Sequence, residues 1–286
     1  MVDGRSAPGA DGRSAPGDNW RARLKGDKRL TPTVAGEGRV LRVIADVADL
    51  RGSPRSDRGL DTQLLYGEAF RVLETREGWA YGQALRDDYV GYAPEDALSD
   101  APTPTHAVSV LRTLVFPEPD IKVTPMLALS MNAQVAVAST EGRFAKLAEG
   151  GFVPAAHVVP LGTPAPDYAG TAELFLGAPY WWGGRSSVGL DCSGLVQMVL
   201  ERAGIDAPRD TDMQEKTLGE TLPAGALLAR GDLVFWKGHV GIMLDAARLI
   251  HANAHHMAVA IEPFAEAQAR IAAAGAPVTS LKRLSP

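Results

Sequence analysis

The 286-residue chain has little or nothing of several features that mark particular classes of protein. A single cysteine excludes an internal disulfide, so the fold does not depend on a disulfide framework. No apolar run reaches the roughly 18 residues of a transmembrane helix, and we therefore expect no membrane partner. The first residues also lack the apolar core of a secretory signal. These absences together predict a cytoplasmic protein.

The charge balance is only mildly acidic, with 34 acidic and 29 basic residues. A chain of this charge lacks the basic surface that favours nucleic acid or anionic lipid, so neither is expected as the main partner. Apolar residues make up 45% of the sequence, which is enough for a substantial core. The length suits two or three domains.

The amino-terminal segment differs in composition from the rest of the chain. The motif DGRSAPG occurs twice, at residues 3–9 and 11–17, and glycine, proline and serine dominate. Such a segment has little apolar surface to bury. We predict a flexible arm over residues 1–37.

Two all-β units are predicted next, over residues 38–100 and 104–162. Short alternating apolar runs separated by turn residues such as Glu77-Gly78 are typical of small β-barrels. The second stretch repeats the first weakly, with Glu68 aligned to Asn132 and Gly91 aligned to Gly151. The repeated turn positions predict two tandem barrels.

Residues 165–286 predict a different, α+β unit. Leu195, Val196, Val199 and Leu200 share one face at helical spacing, and Gly204 stands where that helix would end. The segments LVFW, HVGIML and RLIHAN that follow have the composition of strands. Helices followed by an antiparallel sheet are therefore expected.

The one cysteine, Cys192, directly precedes the apolar periodicity of this helix. A helix amino terminus offers unpaired N–H groups that stabilise a thiolate, and Asp191 is a suitable cap. A lone cysteine is also often an inert core residue. The polar, glycine-rich surroundings favour a nucleophile.

Two histidines are candidate partners for this thiol. His239 and His251 are twelve residues apart on consecutive predicted strands, a spacing that suits directly opposite positions. One imidazole could then act as base while the other orients it. Each alone could equally be an ordinary hydrogen-bonded side chain. His251, His255 and His256 do not form a recognisable zinc array, so we expect no metal and no cofactor.

An aromatic segment, Tyr180-Trp181-Trp182-Gly183-Gly184, precedes the cysteine. Aromatic side chains followed by paired glycines suit a cleft wall where the backbone approaches a ligand closely. Trp182 is thus a candidate substrate contact. Core packing of one or both tryptophans is the alternative.

Five segments in order, GAPYWWGGRSSVGLDCSGLVQ, PRDTDMQ, GDLVFW, GHVGIML and LIHAN, resemble the NlpC/P60 family of cell-wall cysteine peptidases. The resemblance implies a papain-like α+β catalytic domain. It also implies that Cys192 is the nucleophile, His239 the base and His251 the third polar residue. Tyr180 would line the oxyanion site, with Asp191 and Ser193 supporting the cleft.

The upstream units resemble bacterial SH3 domains, and the combination is similar to the dipeptidyl-peptidase branch of the family. That resemblance implies hydrolysis of the γ-D-Glu–diamino acid bond in murein peptides with a free amino-terminal L-Ala. Glu68 and Tyr89 would bind the amino group, and Asp210 and Thr211 are the matching cleft positions.

Several alternatives stay open from the sequence. The diamino acid could be lysine or meso-diaminopimelate, and the number of associating chains is not determined. A Cys/His fold of this kind could also be an amidase or acyltransferase on another substrate. A non-catalytic cell-wall-binding protein, using its SH3-like units for adhesion, is the hypothesis from a different class.

Overall fold

The computed structural model describes residues 20–284, which begin with a short helix and a first β unit. Helix α1 spans Trp20–Arg23, and the strands are β1 (Arg39–Val43), β2 (Val47–Leu50), β3 (Thr62–Leu65), β4 (Ala69–Arg76), β5 (Trp79–Ala84), β6 (Val90–Pro94) and β7 (Leu98–Ser99). Antiparallel pairing gives a sheet in the order β6-β5-β4-β1-β7, and β2 pairs with β3. Buried side chains of these strands, including Leu50, Leu64 and Phe70, form one apolar core.

The second β unit repeats this plan. Its strands are β8 (His106–Val108), β9 (Arg112–Val115), β10 (Leu127–Ser130), β11 (Gln134–Val135), β12 (Val137–Glu141), β13 (Phe144–Leu147), β14 (Phe152–Pro154) and β15 (Val158–Pro160). Strand β8 pairs with β11 and β15 as β1 pairs with β4 and β7, and β9 pairs with β10 as β2 pairs with β3. The predicted internal repeat is therefore present in the strand pairing.

The register of the repeat differs by one residue from the sequence alignment. Gly67 N–H donates to the Val43 carbonyl at 2.8 Å, and Asn132 N–H donates to the Val108 carbonyl at 2.9 Å. Gly67 and Asn132 have φ values of 79° and 67°, in the left-handed region. Because glycine and asparagine adopt this region most readily, these two turn residues correspond, whereas the alignment pairs Asn132 with Glu68.

The α+β unit follows. Its helices are α2 (Tyr168–Glu173), α3 (Cys192–Arg202), α4 (Thr211–Thr217) and α5 (Phe264–Ala273), and its strands are β16 (Arg185–Ser186), β17 (Gly189–Leu190), β18 (Glu220–Thr221), β19 (Leu233–Trp236), β20 (His239–Met243), β21 (Arg248–Asn253), β22 (Ala258–Pro263) and β23 (Val278–Arg283). Six strands form an antiparallel sheet in the order β18-β23-β19-β20-β21-β22. Helix α3 packs against β20 and β21, with every residue from 192 to 200 buried. This arrangement confirms the predicted fold class. Within residues 20–284, no helix is long and apolar enough to cross a membrane.

The stretch from Trp20 to Thr33 contacts both the first β unit and the α+β unit. Trp20 is buried in an apolar cluster with α4, and the Arg29 carbonyl accepts a hydrogen bond from Val90 N–H at 2.8 Å. The structure thus differs from the flexible arm predicted over residues 1–37, because an aromatic side chain and several arginines in its second half find partners. The first half, residues 1–19, lies outside the described residues.

Replacing Trp20 with alanine is expected to lower the free energy of unfolding by about 3 kcal/mol, the usual cost of removing a buried tryptophan. The indole is only 2% exposed, so its removal leaves a cavity between α1 and α4. Chemical denaturation followed by circular dichroism measures the loss. Exposed Lys25→Ala is the matched control. Equal midpoints for the two variants would show that this segment does not contribute to stability.

Candidate active site

Cys192 is the first residue of α3, and the Asp191 side chain caps that helix by accepting Gly194 N–H at 2.7 Å. The thiol is nearly buried, with Cys192 6% exposed. Its sulfur lies 3.7 Å from Thr211 Oγ1 of α4 and 4.0 Å from the carbonyl oxygen of Gly238. The sulfur therefore sits where α3, α4 and the turn before β20 meet.

The ionisation of this thiol is controlled mainly by burial. Desolvation, with a smaller contribution from the Asp191 charge, raises the pKa of Cys192 to about 11. Thr211 and the backbone N–H groups of Ser193 and Val240 act in the opposite direction. The helix terminus alone predicts a stabilised thiolate, but removal of water outweighs it. The free thiol is protonated near pH 7 and needs a base.

The two histidines occupy one face of neighbouring strands. The pairing of Ile242 with Ile250 places His251 across from Gly241, so His239 is its diagonal neighbour rather than its direct partner. The predicted pairing is thus displaced by two residues. His239 Nε2 and His251 Nδ1 are 2.8 Å apart. Glycine leaves room for this contact, since a Cβ at position 241 would lie 3.3 Å from that of His251.

Both imidazoles are neutral at pH 7. Burial, followed by the charge of His251, lowers the pKa of His239 to about 3. Burial also lowers the pKa of His251 to about 4, although Glu262 acts in the opposite direction. A neutral imidazole has one nitrogen with a free electron pair. A neutral His239 can therefore act as a proton acceptor.

A carboxylate and a guanidinium extend the contacts of His251. His251 Nε2 lies 2.7 Å from Glu262 Oε1 on β22, and Arg270 of α5 donates to both oxygens of Glu262 at 2.6 and 2.7 Å. Burial opposes ionisation of Glu262, but the bonds from Arg270 and His251 lower its pKa to about 2. Neither residue was predicted from the sequence.

His256 joins this cluster at its exposed side. His251, His256 and Glu262 bring one ligand atom each to within 4.8 Å of one another. Arg270 is already bound to both Glu262 oxygens, so a cation placed there would face a guanidinium. The His251, His256 and Glu262 side chains therefore fit a chain of hydrogen bonds better than a metal site.

Arg209 connects the start of α3 to the first β unit. It is 1% exposed and donates to both oxygens of Asp191, at 3.0 and 2.8 Å. It also donates to Ser193 Oγ at 2.8 Å and to Thr62 Oγ1 of β3 at 2.7 Å. The side chains of Asp191 and Ser193, which are expected to support the cleft, are therefore bound to Arg209 inside the protein.

Glu68 is also buried, at 2% exposure. Its Oε1 lies 2.9 Å from Arg185 Nη1 and 3.2 Å from Arg86 Nε, and its Oε2 accepts Leu65 N–H at 3.0 Å. The structure therefore differs from the prediction that Glu68 binds a substrate amino group. The carboxylate is enclosed by the packing of the first β unit on the α+β unit and is paired with two arginines.

A different carboxylate lies beside Tyr89, the other residue predicted to bind the substrate amino group. Tyr89 OH donates to Asp210 Oδ2 at 3.2 Å, and Arg29 Nη1 donates to the same oxygen at 2.8 Å. Burial, then the charges of Asp210 and Asp61, raise the pKa of Tyr89. Asp61 is exposed and accepts a hydrogen bond from Gly52 N–H. Sequence reasoning missed Asp61 because it stands in a polar turn without a local motif.

The aromatic segment runs beside the start of α3, where Gly183 N–H donates to Asp191 Oδ2 at 2.9 Å. Tyr180 is half-buried, and burial followed by the proximity of Cys192 raises the pKa of its phenol to about 12. Trp182 is 70% exposed, so its indole is open to solvent. Gly183 has φ of 76°, and a Cβ there would meet the Leu60 carbonyl oxygen at 2.4 Å. The glycines are predicted to let the backbone approach a ligand closely. In the structure, Gly183 instead makes its close approach to the first β unit.

Two family models match this chain. Residues 50–98 match the bacterial dipeptidyl-peptidase Sh3 domain, and residues 177–272 match the NlpC/P60 family. The first matched segment contains Asp61 and Tyr89. The second contains Cys192, His239, His251, Glu262 and Arg270.

Relatives match over most of the chain. The dipeptidyl-peptidase 6 of Lysinibacillus sphaericus is 28% identical over 236 residues, covering 74% of this chain and 86% of that protein. The γ-D-glutamyl-L-lysine dipeptidyl-peptidase of Bacillus subtilis strain 168 is 30% identical over 225 residues, covering 69% of this chain and 73% of that protein. The crystal structure of an NlpC/P60 family protein from Bacillus cereus ATCC 10987 shares the fold, with TM-score 0.74, 22% identity, and coverage of 87% of this chain and 100% of that chain. The chain thus belongs to the NlpC/P60 family of peptidases, with a bacterial SH3 domain ahead of the peptidase domain.

Proposed function

We propose that this peptidase hydrolyses the bond between γ-D-Glu and a diamino acid in murein peptides that have a free amino-terminal L-Ala, as a step in cell-wall peptide recycling. The observation that carries the proposal is the position of Tyr89 and Asp210 beside Thr211, whose hydroxyl is 3.7 Å from the Cys192 sulfur. The names of the two relatives above, both dipeptidyl-peptidases, support it.

The amino end of the substrate is the part that this geometry would select. An ammonium group needs carboxylate or other acceptor partners when it leaves water. Asp61, whose charge acts on Tyr89, would supply one of them, and Asp210 would supply a second while sharing its charge with Arg29. Thr211, the residue after Asp210, lies beside the Cys192 sulfur. Only a short acyl segment therefore fits between the group that binds the substrate amino end and the nucleophile. A dipeptide with a free amino group meets both requirements, and an acetylated one loses the charge.

The proposed reaction starts from a protonated Cys192 and a neutral His239. His239 accepts the Cys192 proton as the sulfur attacks the γ-carbonyl carbon, and the Cys192 backbone N–H and Tyr180 hydroxyl stabilise the resulting oxyanion. Collapse of the tetrahedral intermediate breaks the C–N bond, and His239 gives its proton to the leaving amine. Water, deprotonated by His239, then hydrolyses the thioester and restores the thiol.

The deciding experiment compares L-Ala-γ-D-Glu-meso-diaminopimelate and its lysine analogue with their N-acetylated forms, following free diamino acid by mass spectrometry. We expect cleavage of the free peptides only. Cleavage of both forms would retain the peptidase and reject the amino-end selection. Cleavage of neither, with Cys192 still alkylated by iodoacetamide, would reject this substrate class and favour another amide or ester. Binding to intact cell wall without thiol-dependent cleavage would favour the adhesion hypothesis.

Asp61→Asn is expected to raise KM for the free tripeptide about 10- to 100-fold with a smaller change in kcat, because a charged hydrogen bond of about 1.5–3 kcal/mol is lost mainly in binding. Steady-state kinetics with both peptide forms measure this. The matched control is Asp57→Asn, an exposed carboxylate of the same β unit. If Asp57→Asn and Asp61→Asn raise KM equally, Asp61 has no specific contact with the amino group.

A further inference from the structure

The contacts from Glu262 to His239 form a single line of hydrogen bonds. Glu262 Oε1 lies 2.7 Å from His251 Nε2, and His251 Nδ1 lies 2.8 Å from His239 Nε2. An ionised carboxylate only accepts hydrogen bonds, whereas a neutral imidazole has one donor and one acceptor nitrogen. The direction of every bond is therefore determined at the carboxylate end.

His251 Nε2 must carry the proton, because Glu262 can only accept. His251 Nδ1 is then the acceptor, so His239 Nε2 must carry the proton that bridges the two rings. The remaining nitrogen, His239 Nδ1, is left with its electron pair free. We propose that Glu262 is a positioning residue that fixes the tautomers of both histidines and so leaves His239 Nδ1 as the base.

The charges around the two rings are consistent with this role. Beside the effect of burial, Asp191, which caps α3, raises the pKa of His239. Glu262 of β22 raises the pKa of both histidines and Arg270 of α5 lowers it, while His256, in the turn after β21, lowers the pKa of His251. Arg270 would disfavour a protonated imidazole by its charge, but its two hydrogen bonds hold the Glu262 carboxylate in place. Of these charged groups, Glu262 is the anion in direct contact with His251.

The effect of Glu262 on the reaction depends on the proposed function, in which Cys192 is the nucleophile. Transfer of the thiol proton to His239 Nδ1 creates an imidazolium whose Nε2–H still donates to His251. The negative charge of Glu262 stabilises that cation through His251. Without this charge, the thiolate–imidazolium form is less populated, and the opposite tautomer of His239 becomes available, with Nδ1 blocked by a proton.

The first test requires no substrate and no variant. In wild-type protein with 15N-labelled histidine at pH 7, we expect His251 and His239 both to be protonated at Nε2 and unprotonated at Nδ1. A proton on His251 Nδ1 would overturn the proposal whatever the protein hydrolyses. Failure to cleave murein peptides with the expected tautomers intact would reject the proposed function alone.

The second test compares Glu262→Gln with Glu266→Gln, a matched change at an exposed residue of α5. Glu262→Gln is expected to slow iodoacetamide alkylation of Cys192 at pH 7 at least about tenfold, since one unit of pKa changes a protonation equilibrium tenfold. It should also lower kcat with KM within about twofold, and the NMR spectrum of His239 should show mixed tautomers. Alkylation as fast as in Glu266→Gln, with tautomers unchanged, would overturn the proposal. Should Glu262→Gln fail to fold, the wild-type spectrum decides alone.

Discussion

Replacing Cys192 with serine is expected to lower kcat at least about 10,000-fold while the protein stays folded. Burial lowers the pKa of His239 to about 3, so this imidazole is a weak base. It can assist a thiol, but a serine hydroxyl is far less acidic and gains little from the same partner. Peptide hydrolysis measured by mass spectrometry, with thermal unfolding of the variant, gives both quantities.

The single cysteine provides a control within the wild-type protein. One iodoacetamide adduct, located by peptide mapping at Cys192, should abolish activity in proportion to the fraction alkylated. Cys192→Ser should form no adduct. Retention of more than about one hundredth of the wild-type kcat by the serine variant would contradict the assignment of the nucleophile.

Glu68→Ala is expected to reduce the free energy of unfolding by about 3–5 kcal/mol, the usual cost of removing one partner from a buried ion pair. Arg185, which is fully buried, would keep Glu201 at 2.6 Å but lose the carboxylate at 2.9 Å. Arg86 would lose a partner at 3.2 Å. Urea denaturation followed by circular dichroism measures the change, and exposed Glu74→Ala is the matched control.

The same variant separates a structural role from an amino-end contact. If Glu68 bound the substrate amino group, Glu68→Ala would reduce the preference for free over acetylated peptide and leave stability near that of Glu74→Ala. We expect the reverse, with stability reduced and the preference retained in the fraction that folds.

The sequence predicts the elements that carry Cys192 and the two histidines because their signals are local. Helix α3 begins at Cys192, where the apolar periodicity begins, and the alternating segments around His239 and His251 are strands β20 and β21. The diagonal placement of the two histidines could not be predicted, since strand register depends on the turn between them and on pairing with the rest of the sheet.

The other residues of the site are assembled by contacts that local patterns do not encode. Arg209 reaches Thr62, 147 positions earlier in the chain, and Glu262 reaches His251 across a strand pair. Glu68 sits in a turn that looks solvated until the α+β unit covers it. Burial also reversed the expected ionisation of Cys192, because desolvation depends on the whole packed structure and not on the helix that begins there.

The position of β23 has a consequence for synthesis of the chain. This strand, Val278–Arg283, lies between β18 and β19, and Leu233 pairs with Lys282. While a ribosome makes the protein, both β units can fold before the last strand emerges, but β19 keeps an unpaired edge until then. Pairing between distant segments forms slowly, and exposed strand edges promote aggregation. Formation of the sheet that carries the histidines is therefore the step of folding most vulnerable to aggregation.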